Sequence, residues 1–471
     1  MSKRIPYVDI RGYNEGVTGS CIRNTVHFSD GTVFRFLVDY GMYQGEGHKG
    51  IEYNDSVDPE KIDEILLTHT HLDHDGALPI FVRHGYTKKI YMSDASASVI
   101  DIGLFDSYNI MRRDAKLKGR PVLFAEKDID QTLNQIRSVK YEESIAIHSN
   151  ITVTFLNNGH LMGASSILVQ IDDPRGMINL LYMGDYKPDN LFLNIKPFPS
   201  WVYALPNLTI ISESTYGSTD SSDIERTWED DIIEACSKNS LIFNCAFGQG
   251  RAQELMLKIR RLQDEGKISK DYPVKIDGKT TIAYTFRYLD RCNIIKIKDE
   301  SLNFLPYNIQ FVDDKSRPAM LNISNRAIFI STSGMGSNGP AASYIPHFLS
   351  NPNALIYIPG YASEGTLARK ILEANYGEVV EFKDGSSTVK NAEVKWTGEF
   401  SSHAQADVLI DFYSKFSPLS ILFTHGELEK KQKLESRTQK ELGIKESKTG
   451  ILGMGYVYRI NSYGIDKKVE K

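Results

Sequence analysis

The sequence predicts a layered α/β protein with more than one domain, and three observations carry that prediction. First, apolar runs of strand length repeatedly stop at an ionisable residue. Residues 65–67 precede His69, 151–155 precede His160, 178–183 precede Asp185, 208–212 precede Glu213, and 420–424 precede His425. In layered α/β proteins sites are assembled in the loops beyond strand ends, because a rigid sheet fixes where those loops lie. Second, between Glu213 and about residue 397 strand-type and helix-type runs alternate through Gly-rich joints, which implies an open, mostly parallel sheet. Third, 471 residues are enough for two or three domains, and the composition is that of a soluble globular protein.

Taken in order, residues 5–45 alternate apolar segments with Gly and Asp turns. Ser29-Asp30-Gly31-Thr32 is a hairpin signal, and residues 34–38 read as a strand ending at Asp39. Asp39 is either a support for a metal ligand or a turn aspartate. The densest chemistry follows in Thr68-His69-Thr70-His71-Leu72-Asp73-His74-Asp75-Gly76, an HxHxDH pattern after a strand. At strand periodicity His69 and His71 point to one side. A helix beginning at Asp73 lets Asp73 and His74 face a second metal, with Gly76 expected to permit a sharp backbone bend.

Residues 89–92 read as a strand and 94–140 as helical, with a basic segment, Arg112 to Arg120, expected to be a solvated helix end. Residues 240–247, 327–330 and 354–358 read as buried strands. The last two feed the loops 333–339 and 359–365, which look like anion cradles at helix starts but match no Walker or GxGxxG motif. The run Glu429 to Lys433 reads as an exposed helix face.

Bulk properties exclude several classes. A net charge of −5 gives no whole-protein field for an anionic partner, so any nucleic-acid contact must be local. Cys21, Cys236, Cys245 and Cys292 are scattered without a CxxC pair, which excludes a thiolate zinc ribbon and favours a reducing compartment. The first six residues lack a signal-peptide run and no apolar run is long enough to span a bilayer. A cytoplasmic protein with no membrane contact is expected.

HxHxDH, the isolated His160 and the strand-end Asp185 together resemble the metallo-β-lactamase superfamily. Glu213 in Ser212-Glu213-Ser214-Thr215-Tyr216-Gly217, His403 in Phe400-Ser401-Ser402-His403-Ala404, and His425 in Thr424-His425-Gly426-Glu427 resemble motifs A, B and C of its β-CASP nucleases. Residues 247–254 and 333–367 resemble that family's inserted domain. The resemblance covers nearly the whole chain and is nearest to the nuclease subunit of the cleavage and polyadenylation factor and its prokaryotic relatives, with RNase J more distant. It implies an αββα sandwich interrupted by a β-CASP α/β domain. The expected segments are 1–206, 207–397 and 398–471, with a cleft between the domains over the metals.

Carried over by position, the resemblance implies two divalent ions, zinc or manganese. One is held by His69, His71, His160 and Asp185. The other is held by Asp73, His74, His425 and the bridging Asp185. Two ions about 3.5–4 Å apart lower the pKa of a shared water, whose hydroxide would attack a phosphodiester in line. Asp73, Glu213 and His403 are the catalytic expectations, with His403, oriented by Glu213, as general acid. A histidine at motif C accompanies RNA substrates, so the expected partner is single-stranded RNA, with a homodimer or an RNA-processing complex as assembly. A DNA nuclease or phosphodiesterase, a non-cleaving scaffold, and endonuclease or exonuclease action all stay open. The polar strand Arg23-Asn24-Thr25-Val26-His27 departs from relatives and is expected to be open on one face or to line an interface.

Overall fold

The computed structural model describes residues 5–43, 52–290, 303–360, 362, 364–453 and 455–470. Cys292, the first four residues, and Tyr361 and Ser363 of the second Gly-rich loop lie outside the described residues. The chain divides into two compact units. One comprises Met1–Asn190, Asn194–Ser221 and His403–Lys471, the other Leu191–Leu193 and Ser222–Ser402.

The first unit contains two sheets. One sheet has β1 (Tyr7–Gly12), β2 (Ile22–His27), β3 (Val33–Val38), β4 (Glu64–Leu66), β5 (Lys89–Ser93), β6 (Ile136–Val139), β22 (Tyr456–Asn461) and β23 (Gly464–Glu470), in the order β23-β22-β1-β2-β3-β4-β5-β6. The other has β7 (Ser144–His148), β8 (Ile151–Asn157), β9 (Ser165–Asp173), β10 (Gly176–Tyr182), β11 (Leu208–Ser212), β20 (Ser420–Phe423) and β21 (Thr449–Ile451), in the order β21-β20-β11-β10-β9-β8-β7.

Side-chain periodicity explains the layering. β1 and β2 alternate half-buried and buried residues, because only one of their faces meets the other sheet. Val8, Ile10, Val26 and Phe36 pack there against Val153, Phe155, Ile167 and Leu180. β11 and β20 are buried throughout, being covered on both faces. On the outer side of the first sheet Leu37, Ile65 and Ile90 pack against Leu78, Phe81, Leu104 and Ile129 of helices. On the outer side of the second, Leu181, Ile210 and Phe423 pack against Leu409, Tyr413 and Leu434. The unit is therefore an αββα sandwich.

The hairpin at Ser29-Asp30-Gly31-Thr32 forms as expected. Phe28 N–H donates to Thr32 O at 3.0 Å, and Asp30 Oδ1 accepts from Thr32 N–H at 2.8 Å. Residues 94–140 are not helical throughout. The helices Ile100–Lys118 and Glu126–Gln135 are followed by β6, whose Ile136-Arg137-Ser138-Val139 pairs in parallel with the edge of β5. The basic segment from Arg112 ends the first of these helices at Gly119, where φ is 65°. Glu429-Lys430-Lys431-Gln432-Lys433 lies in the helix Leu428–Leu442, but it is not a uniformly exposed face. Lys431 is buried and its Nζ donates to Glu15 O at 2.9 Å.

The second unit is built on β12 (Leu241–Cys245), β13 (Val274–Asp277), β14 (Ile309–Val312), β15 (Ala327–Ser331), β16 (Ala354–Ile358) and β19 (Glu393–Trp396), ordered β14-β13-β15-β12-β16-β19. All its pairings are parallel, as the βα repetition requires. A small antiparallel pair, β17 (Val379–Glu381) and β18 (Ser387–Val389), accompanies it. β11, which the sequence placed just inside the inserted segment, pairs with β10 and β20 in the first unit. Its five apolar or small residues fill a central position in that sheet.

Candidate metal centre

The parallel strands β10, β11 and β20 end side by side, and Asp185, Glu213 and His425 follow their carboxyl ends. On the facing sheet β3 ends before Asp39 and β4 before His69. The short helix Leu72–Asp75 starts at His71 and carries Asp73 and His74 on its first turn. It lies so close to residue 41 that a Cβ there would sit 1.7 Å from Asp73 O, which only Gly41 allows. Gly76 has an ordinary helical φ of −62°, so it does not make the sharp bend expected of it. Its lack of Cβ matters instead because Leu72 O would be 2.5 Å away.

Every residue singled out as a ligand falls in one cluster. One ligand atom each from His69, His71, His160 and Asp185 lies within 4.8 Å of the others, and the same holds for Asp73, His74 and His425. His69 Nε2 and His160 Nε2 are 3.2 and 3.0 Å from His71 Nδ1. Both are 3.5 Å from Asp185 Oδ2. His74 Nε2 is 3.3 Å from His425 Nε2 and 3.5 Å from the same Asp185 oxygen.

These spacings fit divalent metal binding. Nitrogens at about 2.0–2.1 Å from a tetrahedral ion stand about 3.3 Å apart along each edge. Facing ring nitrogens at such distances aim lone pairs at a common point, and Asp185 Oδ1 is buried without accepting a hydrogen bond. An imidazole-rich set with carboxylates suits zinc and accepts manganese.

The supports of the ligands are equally specific. Asp39, at φ 61°, places Oδ2 2.7 Å from His74 Nδ1, while its carboxylate accepts from Thr68 N–H at 2.7 Å and from Thr68 Oγ1 at 2.8 Å. Of the two readings the sequence left open for Asp39, the geometry matches the support of a ligand histidine. Thr68 Oγ1 is also 3.1 Å from His69 Nδ1. The Asn158 side-chain carbonyl accepts from His160 N–H at 3.3 Å.

His403 stands beside the cluster. Its Nδ1 is 2.9 Å from Glu213 Oε2, and its Nε2 is 3.9 Å from Asp185 Oδ2. Glu213 is fixed in turn because Oε1 accepts from Tyr186 N–H at 2.6 Å. Burial works to lower the His403 pKa, yet Glu213 and Asp185 beside it lift it to about 9. Burial works to raise the Asp185 carboxyl, but His425, His74, His403 and His69 hold it well below the usual range. Burial lowers His71 to about 4 despite Asp73 and Asp185. His74 is raised to about 10 by Asp185 and Asp39 against the effect of burial.

Two residues at the site were passed over by the sequence reading. Thr215 lies 3.1 Å from His425 Nδ1, and Thr68 links Asp39 to His69. The signal in both cases was a hydroxyl residue adjoining a charged motif position, too common in turns to stand out. In the loop from Ser333, read as an anion cradle, two of the backbone donors are already used. Ser333 N–H donates to Asn338 O at 3.2 Å and Gly336 N–H to Ser333 O at 2.9 Å.

An αββα sandwich that gathers histidines and carboxylates at its strand ends defines a candidate metallo-hydrolase. Three family models match the chain: a metallo-beta-lactamase superfamily domain at residues 28–190, a Beta-Casp domain at 252–371, and a Zn-dependent metallo-hydrolase RNA specificity domain at 389–447. The chain belongs to the β-CASP family of the metallo-β-lactamase superfamily.

Similar proteins include an RNase J-like protein of Methanocaldococcus jannaschii, 29% identical over 83% of this chain and 87% of its own length. Transcription termination factor FttA of Methanococcus maripaludis is 31% identical over 88% of this chain and 66% of its own. Cleavage and polyadenylation specificity factor subunit 3-I of Arabidopsis thaliana is 26% identical over 85% of this chain and 57% of its own. The chain thus spans most of the first relative and two thirds or less of the other two.

Proposed function

We propose that this protein is a metal-dependent ribonuclease that hydrolyses phosphodiester bonds in single-stranded RNA. The observation that carries the reading is the His403–Glu213 pair, 2.9 Å apart, set against a seven-residue ligand cluster. His69, His71, His160 and Asp185 would hold one divalent ion. Asp73, His74, His425 and Asp185 would hold the other, with Asp185 common to both. When bound, such a pair supplies a water of lowered pKa and neutralises charge on phosphate oxygens.

The chain's own groups do the rest. Against the effect of burial, Glu213 and Asp185 raise the pKa of the adjacent His403 and so favour the protonated form that a proton donor needs. Glu213 accepts the Nδ1 hydrogen and so leaves the Nε2 hydrogen directed toward the cluster, where it can pass to the leaving oxygen of the cleaved bond. Asp185 and Asp73 supply negative charge that stays ionised across physiological pH, Asp73 being held at about 2 by His425 and His74 against its burial.

RNA rather than DNA is supported by His425 at motif C, by the RNA specificity model spanning His403 and His425, and by relatives named for RNA-directed roles. Zinc is the ion we assign. Cys21, Cys236 and Cys245 are free, buried thiols, which suits a reducing cytoplasm. Initial rates on matched RNA and DNA oligomers labelled at either end, with zinc and then manganese, test the reading. It expects faster RNA cleavage, and equal rates on DNA would contradict it. A ladder from one end identifies exonuclease action and internal cuts identify endonuclease action.

A further inference from the structure

The polar strand β2 has a face the metal chemistry does not use. Arg23, Thr25 and His27 are half-buried and alternate with the buried residues that meet the other sheet. β1 alternates in the same way, turning Tyr7, Asp9 and Arg11 to that side. Arg11 and Arg23 are direct cross-strand partners, and Thr25 pairs with Arg35 of β3. On the other flank Arg459 of β22 pairs with Asp9 and with the exposed Lys467 of β23. The helices that cover this sheet pack on Leu37, Ile65 and Ile90, farther along it. No outward residue of β1, β2 or β22 is buried.

Like charges set directly opposite on a sheet repel, and here the repulsion is not relieved. Among the described residues the side chains of Arg11, Arg23 and Arg35 form no ion pair within 4.0 Å, although the Arg35 backbone N–H donates to Asp63 Oδ2 at 2.8 Å, whereas the Arg459 side chain is held by Asp9 at 2.8 Å. In place of an acid, Arg11 and Arg23 share a ring. The Arg11 and Arg23 guanidinium carbons lie 4.3 and 5.8 Å from the Tyr13 ring centre, and Arg459 lies 3.9 Å from Tyr7, which stacks on His27 at 4.4 Å. A guanidinium backed by a ring keeps its N–H donors, which lie in its own plane, available for phosphate. This local excess of positive charge sits on a chain of net charge −5.

We infer that this open face is an RNA-docking surface, in addition to the metal centre, that engages the phosphates of a single strand through Arg11, Arg23 and Arg35. The inference rests on the ribonuclease reading above. Cross-strand neighbours stand about 5 Å apart and same-face residues along a strand about 7 Å apart, so the arginines form a lattice of phosphate-reading forks. A protein partner would be expected to find an apolar anchor at the patch centre, and the centre here is Asp9, Arg11, Arg23 and Thr25.

The test measures fluorescence anisotropy of labelled oligouridylate with the metal-free full chain, across salt concentrations. The variants are Arg11→Gln/Arg23→Gln and, separately, Arg35→Gln, and turnover of bis(p-nitrophenyl) phosphate by the metal-loaded proteins is followed alongside. The double variant should bind RNA at least tenfold more weakly, and its log–log salt slope should fall by about 1.4, since each single-strand phosphate contact contributes about 0.7. Turnover of the small diester should stay at the wild-type level. Unchanged RNA affinity in both variants, with wild type cleaving RNA, overturns this inference alone. A wild type that hydrolyses the small diester but binds no RNA overturns it together with the ribonuclease reading. Polyglutamate competing as well as RNA of equal charge assigns the face to an acidic protein instead, and also overturns it.

Discussion

Thr215 Oγ1 lies 3.1 Å from His425 Nδ1 and 3.3 Å from the carbonyl oxygen of the same residue. A Thr215 hydroxyl that donates to the carbonyl accepts from Nδ1–H, the tautomer in which the Nε2 lone pair is left for a metal ion held jointly with His74 and Asp73. The backbone of His425 is left-handed, at φ 46°, and its carbonyl also accepts from Ser214 N–H at 2.9 Å. The turn after Glu213 therefore holds the backbone of His425, and its hydroxyl is placed to select the ring tautomer.

Removing that hydroxyl should loosen the second metal position and leave the first intact. Thr215→Val is expected to release one of two bound ions during dialysis and to lose 10–100-fold in affinity for it, the usual effect of deleting a ligand's partner. Thr215→Ser should restore it. Elemental analysis against protein concentration reads the result, and two ions retained by the valine variant would remove Thr215 from this role.

Asp39 should behave similarly through His74. Asn tolerates the left-handed backbone observed at φ 61° but lacks the charge that pairs with His74 Nδ1 at 2.7 Å. Asp39→Asn is expected to weaken metal retention in a chelator competition by about 10–100-fold with the fold preserved by circular dichroism. Wild-type retention would reduce Asp39 to a turn residue.

The pH dependence follows from His403. Its pKa is raised to about 9, so the proton it donates is present below that pH and lost above it, and kcat/KM should fall as pH rises through the folded-state pKa. Bound cations nearby oppose the protonated form and move the limb downward. Glu213→Gln removes the largest contribution that raises the pKa and should shift the alkaline limb to lower pH, besides lowering the maximal rate. A limb at the same pH in both proteins would separate His403 from Glu213.

The candidate ligands were legible because His69, His160, Asp185 and His425 each follow a strand-type run, and His71, Asp73 and His74 belong to the dense HxHxDH pattern after the first of these runs. The buried parallel strands of the second unit were legible for the same reason: 241–245, 327–331 and 354–358 are nearly all apolar. β13 was not, since Val274-Lys275-Ile276-Asp277 is short and carries two charges whose partners are remote in sequence. Arg317 reaches Asp277 from forty residues away, at 2.7 Å. β6 was masked by the helices before it. Lys431 looked solvated because composition does not reveal that Glu15, far away in the chain, supplies its acceptor. Asp39 stood undecided until the fold placed it against His74. The opened face of β2 was visible as an oddity in the sequence, but the pairing of Arg11 with Arg23 appears only once the strand register is known.

The most direct measurement compares wild type with Asp185→Ala on labelled single-stranded RNA, with the fold of each checked by circular dichroism and the bound metal counted. Asp185 is the carboxylate we propose for both ligand sets, its Oδ2 lying 3.5 Å from Nε2 of His69, His160 and His74. The account predicts RNA cleavage by wild type, and by the variant a folded protein with lost metal and no cleavage above background. Equal cleavage by the two proteins would contradict it.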